Sequence, residues 1–497
     1  MKKLLLLLSF LLVAGFLSAC EDTADFADMT ETDPIEPMNE EPGGGETAVS
    51  PTYQTADCPI DIPRGYDVAC GYLTVPENRT LANSPAIELA VAIVAARDGA
   101  DYPPVIYLAG GPGGSGLDDF AADPEGWDYP FTRNRDLILL DQRGTGYSIP
   151  TLDCPEFTTA DENENPDELC YDRLVDEGID LSAYNTVENA ADVAALREAL
   201  GIEAWDLLGI SYGTRLALAV MKDHPAGVRS VVLDSVFPPN VDTPLEDALS
   251  TMDGLNRLFA DCAQDDYCAG QYPDLEAVFV EAVATLNDDD SAPIYGDDLL
   301  FAVSNALNDT ELIPLLPWVI WEVANGNYDA LDEISTEAAY GRLTYQSADE
   351  DHSDSEGMYN SVICHDEYVD GDYDRVETAV VGQVPVELEA ALLQGAYDLT
   401  AVCDYWNPQQ RVDNTAVSSR IPTLILAGQY DVATPMRWAR LAAQTLPNAY
   451  VYEFPGSGHS LLSGGECAID ITAQFLDDPE SAPDDGCIAQ MDWPNFE

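Results

Sequence analysis

The chain has 497 residues, of which 46% are hydrophobic, and this is enough apolar material to bury a large core. Acidic residues outnumber basic ones 91 to 20, so the formal net charge at pH 7 is −71. A surface this negative repels nucleic acid and anionic lipid headgroups, and neither is expected as a partner.

The N-terminus has the pattern of a secretion signal. Lys2 and Lys3 precede a short apolar stretch, residues 4–16, which is too brief for a comfortable transmembrane helix. The next four residues, 17–20, resemble a bacterial lipobox and predict a signal peptide over 1–19, with a lipid attached at Cys20. An ordinary secretory signal with a chance cysteine is the alternative. Either pattern predicts an extracytoplasmic protein, and the lipobox predicts one anchored to a bacterial membrane by its lipid.

Residues 20–51 are acidic and nearly free of large apolar side chains, so we expect them to form a disordered tether. Apart from Cys20, ten of the 11 cysteines remain, an even number that suits disulfides in an oxidising compartment. Ten cysteines allow on the order of a thousand pairings. Their spacing nevertheless suggests that sequence neighbours pair, which gives Cys58–Cys70, Cys154–Cys170, Cys262–Cys268, Cys364–Cys403 and Cys467–Cys487. The chain has no paired C-x-x-C motif, and no metal site is predicted.

A glycine-rich loop, residues 109–116, follows a predicted strand over 104–108. Its glycines free backbone N–H groups to point at a developing negative charge, as an oxyanion hole requires. We expect the N–H of Gly111 to be one donor. A phosphate-binding loop is the alternative, but no Gly-Lys-Ser/Thr follows and no Rossmann spacing fits.

The segment Gly209-Ile210-Ser211-Tyr212-Gly213 lies between an apolar run, 205–208, and helix-forming residues, 214–222. A strand, a sharp turn with serine between two glycines, and a helix form the nucleophile elbow of α/β-hydrolases. Ser211 is therefore the predicted nucleophile. The N–H of Tyr212, the next residue, is the predicted second oxyanion donor.

Among the four histidines, His459 lies on a glycine-containing loop after a strand-like segment, 449–454. It is the last histidine in the chain, as the order serine, acid, histidine requires, and is the predicted base. Asp431 follows a predicted buried strand, 422–428, and is the predicted acid that orients the imidazole. Asp234, at the end of another predicted strand, is the alternative acid and otherwise has a structural role.

The predicted fold class is α/β, with an eight-stranded, mostly parallel sheet. Residues 240–412 are too long for a loop and rich in helical patterns, so we expect a helical cap inserted before the last strands. The core then comprises residues 52–239 and 413–497. The predicted strands are 71–75, 87–95, 105–108, 137–140, 205–209, 230–233, 423–427 and 450–454.

Together these motifs resemble the prolyl aminopeptidase and tripeptidyl aminopeptidase family of α/β-hydrolases over about residues 52–490. The resemblance is carried by the glycine-rich loop, the elbow, Asp431, Gly458-His459 and a second signature at 141–146. Segments beginning at Cys364 and Cys403 are also similar to the family's later segments. Prolyl aminopeptidases usually carry histidine where this chain has Ala109, which favours the tripeptidyl-aminopeptidase-like branch.

The resemblance implies a serine aminopeptidase that acts through an acyl-enzyme, needs no cofactor, and takes peptides with a free N-terminus. It also implies acidic groups in the cap that bind the substrate amine, here Asp366 and Glu367. Asp141 and Arg143 are expected to form a structural ion pair behind the site, and a direct role in substrate binding is the alternative. An esterase or small-amide hydrolase using the same residues is the alternative enzyme, and a non-catalytic surface binding lipoprotein is the alternative from another class.

Overall fold

The computed structural model describes residues 49–124, 126–161, 164–289, 291–334, 352–367, 372–406, 412–491 and 494–496. All of them belong to the compact unit Thr47–Glu497. The predicted signal peptide, Cys20 and most of the predicted tether lie outside the described residues. No helix within these ranges combines the length and the apolar character needed to cross a membrane.

Within the described ranges, nine strands form one sheet in the order β1-β2-β3-β5-β4-β6-β7-β8-β9. The six strands from β5 to β9 in this order pair in parallel, whereas β1, β2, β3 and β5 pair antiparallel. The bounds are β1 Thr52–Ala56, β2 Val68–Pro76, β3 Ala86–Val94, β4 Val105–Leu108, β5 Leu137–Leu140, β6 Trp205–Ile210, β7 Val228–Asp234, β8 Thr423–Gly428 and β9 Ala449–Phe454.

The mostly parallel sheet was predicted, but strand β1 was not. Four of its five residues are exposed, and it lies at the edge of the sheet with β2 as its neighbour. An exposed edge strand lacks the apolar run or alternation by which a strand is recognised in a sequence.

Both faces of the sheet are covered by apolar clusters. Successive side chains of a strand point to opposite faces, so one strand contributes to both clusters. In β4, Ile106 and Leu108 pack into one apolar cluster, and Val105 and Tyr107 pack into another. The helices and helical turns that accompany the sheet are Gly116–Ala122, Pro130–Thr132, Glu156–Thr159, Pro166–Asp176, Leu181–Ala183, Thr186–Ala199, Tyr212–Asp223, Met436–Ala443, Leu461–Ser463, Glu466–Asp477 and Ile488–Gln490.

The segment between β7 and β8 contains helices throughout its described parts, as predicted for the insertion (residues 240–412). The helices between Thr243 and Glu333 share an apolar core, which also includes Tyr430 and Val432 from the loop after β8. The helix Glu356–Asp366 instead packs in a cluster with Leu152 and Tyr212. That the insertion acts as a cap stays a prediction. Its helices are Thr243–Gln264, Asp266–Gln271, Leu275–Asp288, Gly296–Ala306, Ile313–Leu315, Leu316–Ala324, Tyr328–Glu333, Glu356–Asp366, Asp372–Val380 and Glu389–Tyr405.

All five predicted disulfides are present, and each joins one cysteine to the next cysteine along the chain. Cys364–Cys403 links two helices of the insertion and spans 39 residues, the longest of the five separations. The others are Cys58–Cys70, Cys154–Cys170, Cys262–Cys268 and Cys467–Cys487.

Candidate active site

Ser211 occupies a sharp turn between β6 and the helix Tyr212–Asp223. Its backbone has φ 54° and ψ −124°, a conformation that residues with a side chain rarely adopt. The two flanking glycines are required by close packing. A Cβ on Gly213 would lie 1.9 Å from the carbonyl oxygen of Leu108, and one on Gly209 would lie 2.4 Å from that of Gly213. The turn therefore has the strained geometry that the elbow motif predicts.

The glycine-rich loop passes directly beside Ser211. A Cβ on Gly110 would lie 3.1 Å from the Cβ of Ser211, a tight contact that glycine avoids. Gly111 follows with φ +100° and an exposed position. Tyr212 is the first residue of its helix, where backbone N–H groups have no partner within the helix. The loop that carries Gly111, one predicted oxyanion donor, therefore lies beside Ser211. Ser211 in turn immediately precedes Tyr212, the other predicted donor.

Two serines of the insertion hold the glycine-rich loop in place. The N–H of Ser115 donates to the carbonyl oxygen of Ser353 (3.0 Å), and the N–H of Ser355 donates to that of Gly113 (3.1 Å). A Cβ on Gly113 would lie only 2.6 Å from the Ser355 carbonyl oxygen, and Gly113 has φ +117°. The insertion therefore contributes to the shape of this loop.

We expect Gly113→Ala to lower kcat by about 10- to 1000-fold, because the new methyl group pushes the loop away from Ser355 and displaces its N–H donors. Gly99→Ala is the matched control: Gly99 also has a positive φ (+99°), but a Cβ there meets nothing within 4 Å. Steady-state kinetics and Tm of both variants check this. Equal losses of kcat would mean that backbone strain alone, rather than the contact with Ser355, is responsible.

Asp431 and His459 are in direct contact. Their Oδ2 and Nδ1 atoms lie 2.9 Å apart, and the Asp431 side chain is fully buried whereas 18% of the His459 side chain is exposed. Because Nδ1 faces the carboxylate, Nε2 is the ring nitrogen left to accept a proton from a nucleophile. Thr434 fixes the carboxylate, since its N–H donates to Oδ1 (2.6 Å) and its hydroxyl to Oδ2 (2.7 Å).

The electrostatics of this pair favour the charged forms. Burial alone would raise the pKa of Asp431, but His459 and the hydrogen bonds from Thr434 outweigh it, so the pKa lies below its usual value. Burial alone would lower the pKa of His459, but the charge of Asp431 and its hydrogen bond outweigh this effect and raise the pKa. The pair is thus able to stabilise an imidazolium while a proton is held on Nε2.

Asp234, the alternative acid, binds the chain on both sides of the site. Its two carboxylate oxygens accept the N–H groups of Leu461 (3.0 Å) and Leu462 (2.9 Å). Its carbonyl oxygen accepts the N–H of Ser211 (3.0 Å). Burial, against the lowering effect of these hydrogen bonds, raises the pKa of Asp234 to about 6. These contacts give it a structural role between the elbow and the loop that follows His459.

Asp366 and Glu367 lie in a buried cluster with Arg215, which follows Ser211 by one helical turn. The Arg215 Nη1 and Glu367 Oε1 atoms are 2.5 Å apart, and Arg215 Nε is 3.5 Å from Asp366 Oδ2. Thr186 and Thr243 also donate hydroxyl groups to Asp366 and Glu367, respectively. Burial raises the pKa of Glu367 to about 7 despite the attraction of Arg215. With all three groups ionised, the cluster carries one net negative charge.

The predicted ion pair between Asp141 and Arg143 is wrong. Asp141 instead accepts the hydroxyl of Ser115 (2.9 Å) and the N–H of Leu117 (3.0 Å), which fixes the end of the glycine-rich loop. Arg143 binds the carboxylate of Asp192 through Nε (2.8 Å) and Nη2 (3.0 Å). Both side chains are buried, but they bind other residues and not each other.

Residues 103–465, well over half of the chain, match the sequence model of the alpha/beta hydrolase fold. This chain belongs to the α/β-hydrolase family. The predicted fold is thereby confirmed, and the protein is a hydrolase of the α/β class.

Several relatives of this α/β-hydrolase have names that specify an activity. Serine protease Hip1 of Mycobacterium tuberculosis is 26% identical over 88% of this chain and 90% of its own length. Proline iminopeptidase of Xylella fastidiosa is 27% identical over 72% of this chain and 83% of its own. Tripeptidyl aminopeptidase of Streptomyces lividans is 32% identical, over 37% of this chain and 38% of its own.

Sequence reasoning missed several residues that shape the site of this hydrolase. Thr434 stands three residues after Asp431, a spacing at which a carboxylate commonly accepts a local backbone N–H, so a local signal was present. Ser355 likewise has a local signal, because it caps the helix Glu356–Asp366 through the N–H of Met358. The contacts of Ser353 and Ser355 with the glycine-rich loop have no such signal.

Proposed function

We propose that this protein is a serine peptidase that removes residues or short peptides from the N-termini of peptides. The observation that carries the proposal is the contact between Asp431 and His459, at 2.9 Å, on loops joined through Asp234 and Ser235 to the elbow that holds Ser211. Ser211, His459 and Asp431 are then nucleophile, base and orienting acid.

In the proposed reaction, the Ser211 hydroxyl attacks the peptide carbonyl while His459 Nε2 takes its proton. The N–H groups of Gly111 and Tyr212 stabilise the negative oxygen of the tetrahedral intermediate, and Asp431 stabilises the imidazolium. His459 then donates the proton to the leaving amine, which leaves an acyl group on Ser211. Water, deprotonated by His459, attacks this ester, and the N-terminal product leaves as His459 returns the proton to the Ser211 oxygen. Apart from the substrate and water, every group in these steps belongs to the chain itself.

The peptide substrate is supported by the names of the relatives, which are a serine protease, a proline iminopeptidase and a tripeptidyl aminopeptidase. Ala109 in place of histidine before the paired glycines favours the tripeptidyl type over a strict proline iminopeptidase. An esterase is the second candidate. Fluorogenic aminoacyl and peptidyl amides, tested beside simple esters, separate the two, and turnover confined to esters would overturn the peptidase proposal.

We propose that Asp366 and Glu367 bind the free N-terminal ammonium group of the peptide substrate. Arg215 balances only one of the two carboxylates, so when both are ionised the cluster carries a negative charge that attracts an ammonium group. A charge-assisted hydrogen bond contributes roughly 1.5–3 kcal/mol, so Asp366→Asn or Glu367→Gln should lower kcat/KM for free-amine peptides by about 10- to 100-fold. N-acetylated peptides and simple esters should be almost unaffected.

Glu333→Gln is the control for this prediction, since Glu333 is an exposed carboxylate of the same insertion. The measurement is kcat/KM of the three variants on matched free-amine and N-acetylated substrates. Equal losses on both substrate classes would mean that Asp366 and Glu367 only balance the charge of Arg215. Full activity of the parent enzyme on N-blocked peptides would overturn the exopeptidase proposal itself.

A further inference from the structure

One short loop of the insertion contacts both catalytic loops proposed above. It follows the helix Gly296–Ala306 and contains Asn308 and Thr310. The carbonyl oxygen of Asn308 accepts the backbone N–H of His459 at 2.7 Å, and the hydroxyl of Thr310 accepts the N–H of Gly458 at 3.0 Å. The backbone of the proposed base is therefore held by the insertion and not only by the sheet.

The side chain of the same asparagine reaches the loop of the proposed acid. Asn308 Oδ1 accepts the N–H groups of Val432 (3.2 Å) and Ala433 (3.3 Å), the two residues that follow Asp431. Through its main chain and its side chain, Asn308 thus joins the two segments that carry Asp431 and His459.

Close packing against the insertion restricts the movement of the loops that carry Asp431 and His459. A Cβ on Gly458 would lie 2.3 Å from the Asn308 carbonyl oxygen, so glycine is needed for the approach. Next to Asp431, the Tyr430 hydroxyl donates to Asp261 Oδ2 of the insertion at 2.6 Å. Val432 packs so closely on the insertion that a Cβ on Gly254 would lie 2.3 Å from its Cγ1.

We infer that Asn308 is a positioning residue that sets the geometry between Asp431 and His459. The inference rests on the proposed triad but not on the choice of peptide or ester as substrate. Asn308 touches no reacting atom and acts through the backbones of the two loops. A catalytic group that shifts by about 1 Å can lose about 100-fold in rate, so the loss of one bridging side chain is enough for a large effect.

The test compares Asn308→Ala, which removes the bridge, with Asn308→Asp, which keeps an oxygen acceptor and adds a negative charge. Asn325→Ala is the control, because Asn325 is an exposed asparagine of the same insertion whose side-chain amide donates to the local Trp321 carbonyl oxygen. The time course of labelling by a fluorophosphonate gives two separate quantities: the rate constant, and the fraction of protein that is finally labelled.

For Asn308→Ala we expect the rate constant and kcat to fall by about 10- to 100-fold, with KM and the labelled fraction close to the parent values. Asn308→Asp should recover most of the rate. Its added negative charge favours the imidazolium and raises the pKa of His459, so the acid limb of the kcat/KM profile should move to higher pH. Asn325→Ala should match the parent.

Three results would overturn the inference while leaving the proposed triad in place. Labelling of Asn308→Ala at the parental rate removes the positioning role while leaving the proposed triad intact. A reduced labelled fraction with an unchanged rate constant means that Asn308 only supports folding. If Asn308→Ala does not fold, an unshifted acid limb in Asn308→Asp overturns the inference in the same way. A parent protein that does not react at all would instead remove the triad, and the inference with it.

Discussion

Replacing Ser211 with alanine is expected to lower kcat by about 10⁶-fold, because the acyl-enzyme cannot form without the hydroxyl. The Tm should stay close to that of the parent, since Ser211 is only partly buried and loses a single oxygen. Activity on a fluorogenic peptide amide and thermal unfolding are the two measurements. Ser291→Ala, at an exposed serine of the insertion, is the matched control and should behave as the parent.

A Ser211→Ala variant with activity near that of the parent would show that another residue is the nucleophile. The elbow would then be a structural turn only. A loss of activity accompanied by a large fall in Tm would also fail to match the prediction, because it would assign the hydroxyl to the stability of the turn rather than to the reaction.

Asp431→Asn is expected to lower kcat by about 10⁴-fold, because an amide cannot hold the imidazole in the required tautomer or stabilise the imidazolium. The negative charge of Asp431 keeps the pKa of His459 above its usual value. Its removal should lower that pKa, so the acid limb of kcat/KM should move to lower pH. The pH profile of residual activity therefore reports on the same contact as kcat does.

Asp234→Asn is the matched comparison, because both carboxylates are buried and the charges of both raise the pKa of His459. Its carboxylate accepts the N–H groups of Leu461 and Leu462, so we expect mainly a lower Tm and a much smaller effect on kcat than for Asp431→Asn. A larger fall in kcat for Asp234→Asn, measured on protein that is fully folded, would transfer the role of the acid to Asp234.

Much of the site could be predicted from sequence because its parts have local signatures. The elbow needs glycines at fixed positions around Ser211, and the close approach of Gly213 to Leu108 shows why. Asp431 and His459 each follow a buried or strand-like run, so their place at the carboxyl edge of the sheet follows from the strand pattern. The disulfides were predictable because each one joins neighbouring cysteines.

What could not be predicted depends on contacts between distant segments. Asn308 and Ser355 belong to the insertion, and nothing in their local sequence indicates that they hold the base loop and the glycine-rich loop. Asp141 and Arg143 were predicted to pair, but the buried Arg143 takes the carboxylate that the fold supplies, here Asp192. Such partners follow from packing and not from spacing.

We propose that this α/β-hydrolase works through an acyl-enzyme on Ser211. This proposal is tested most directly by treating the folded protein with a fluorophosphonate and mapping the adduct by mass spectrometry of its peptides. We predict a single adduct, on the peptide that contains Ser211, and no adduct in Ser211→Ala. An unreactive protein, or an adduct on any other residue, would contradict the account.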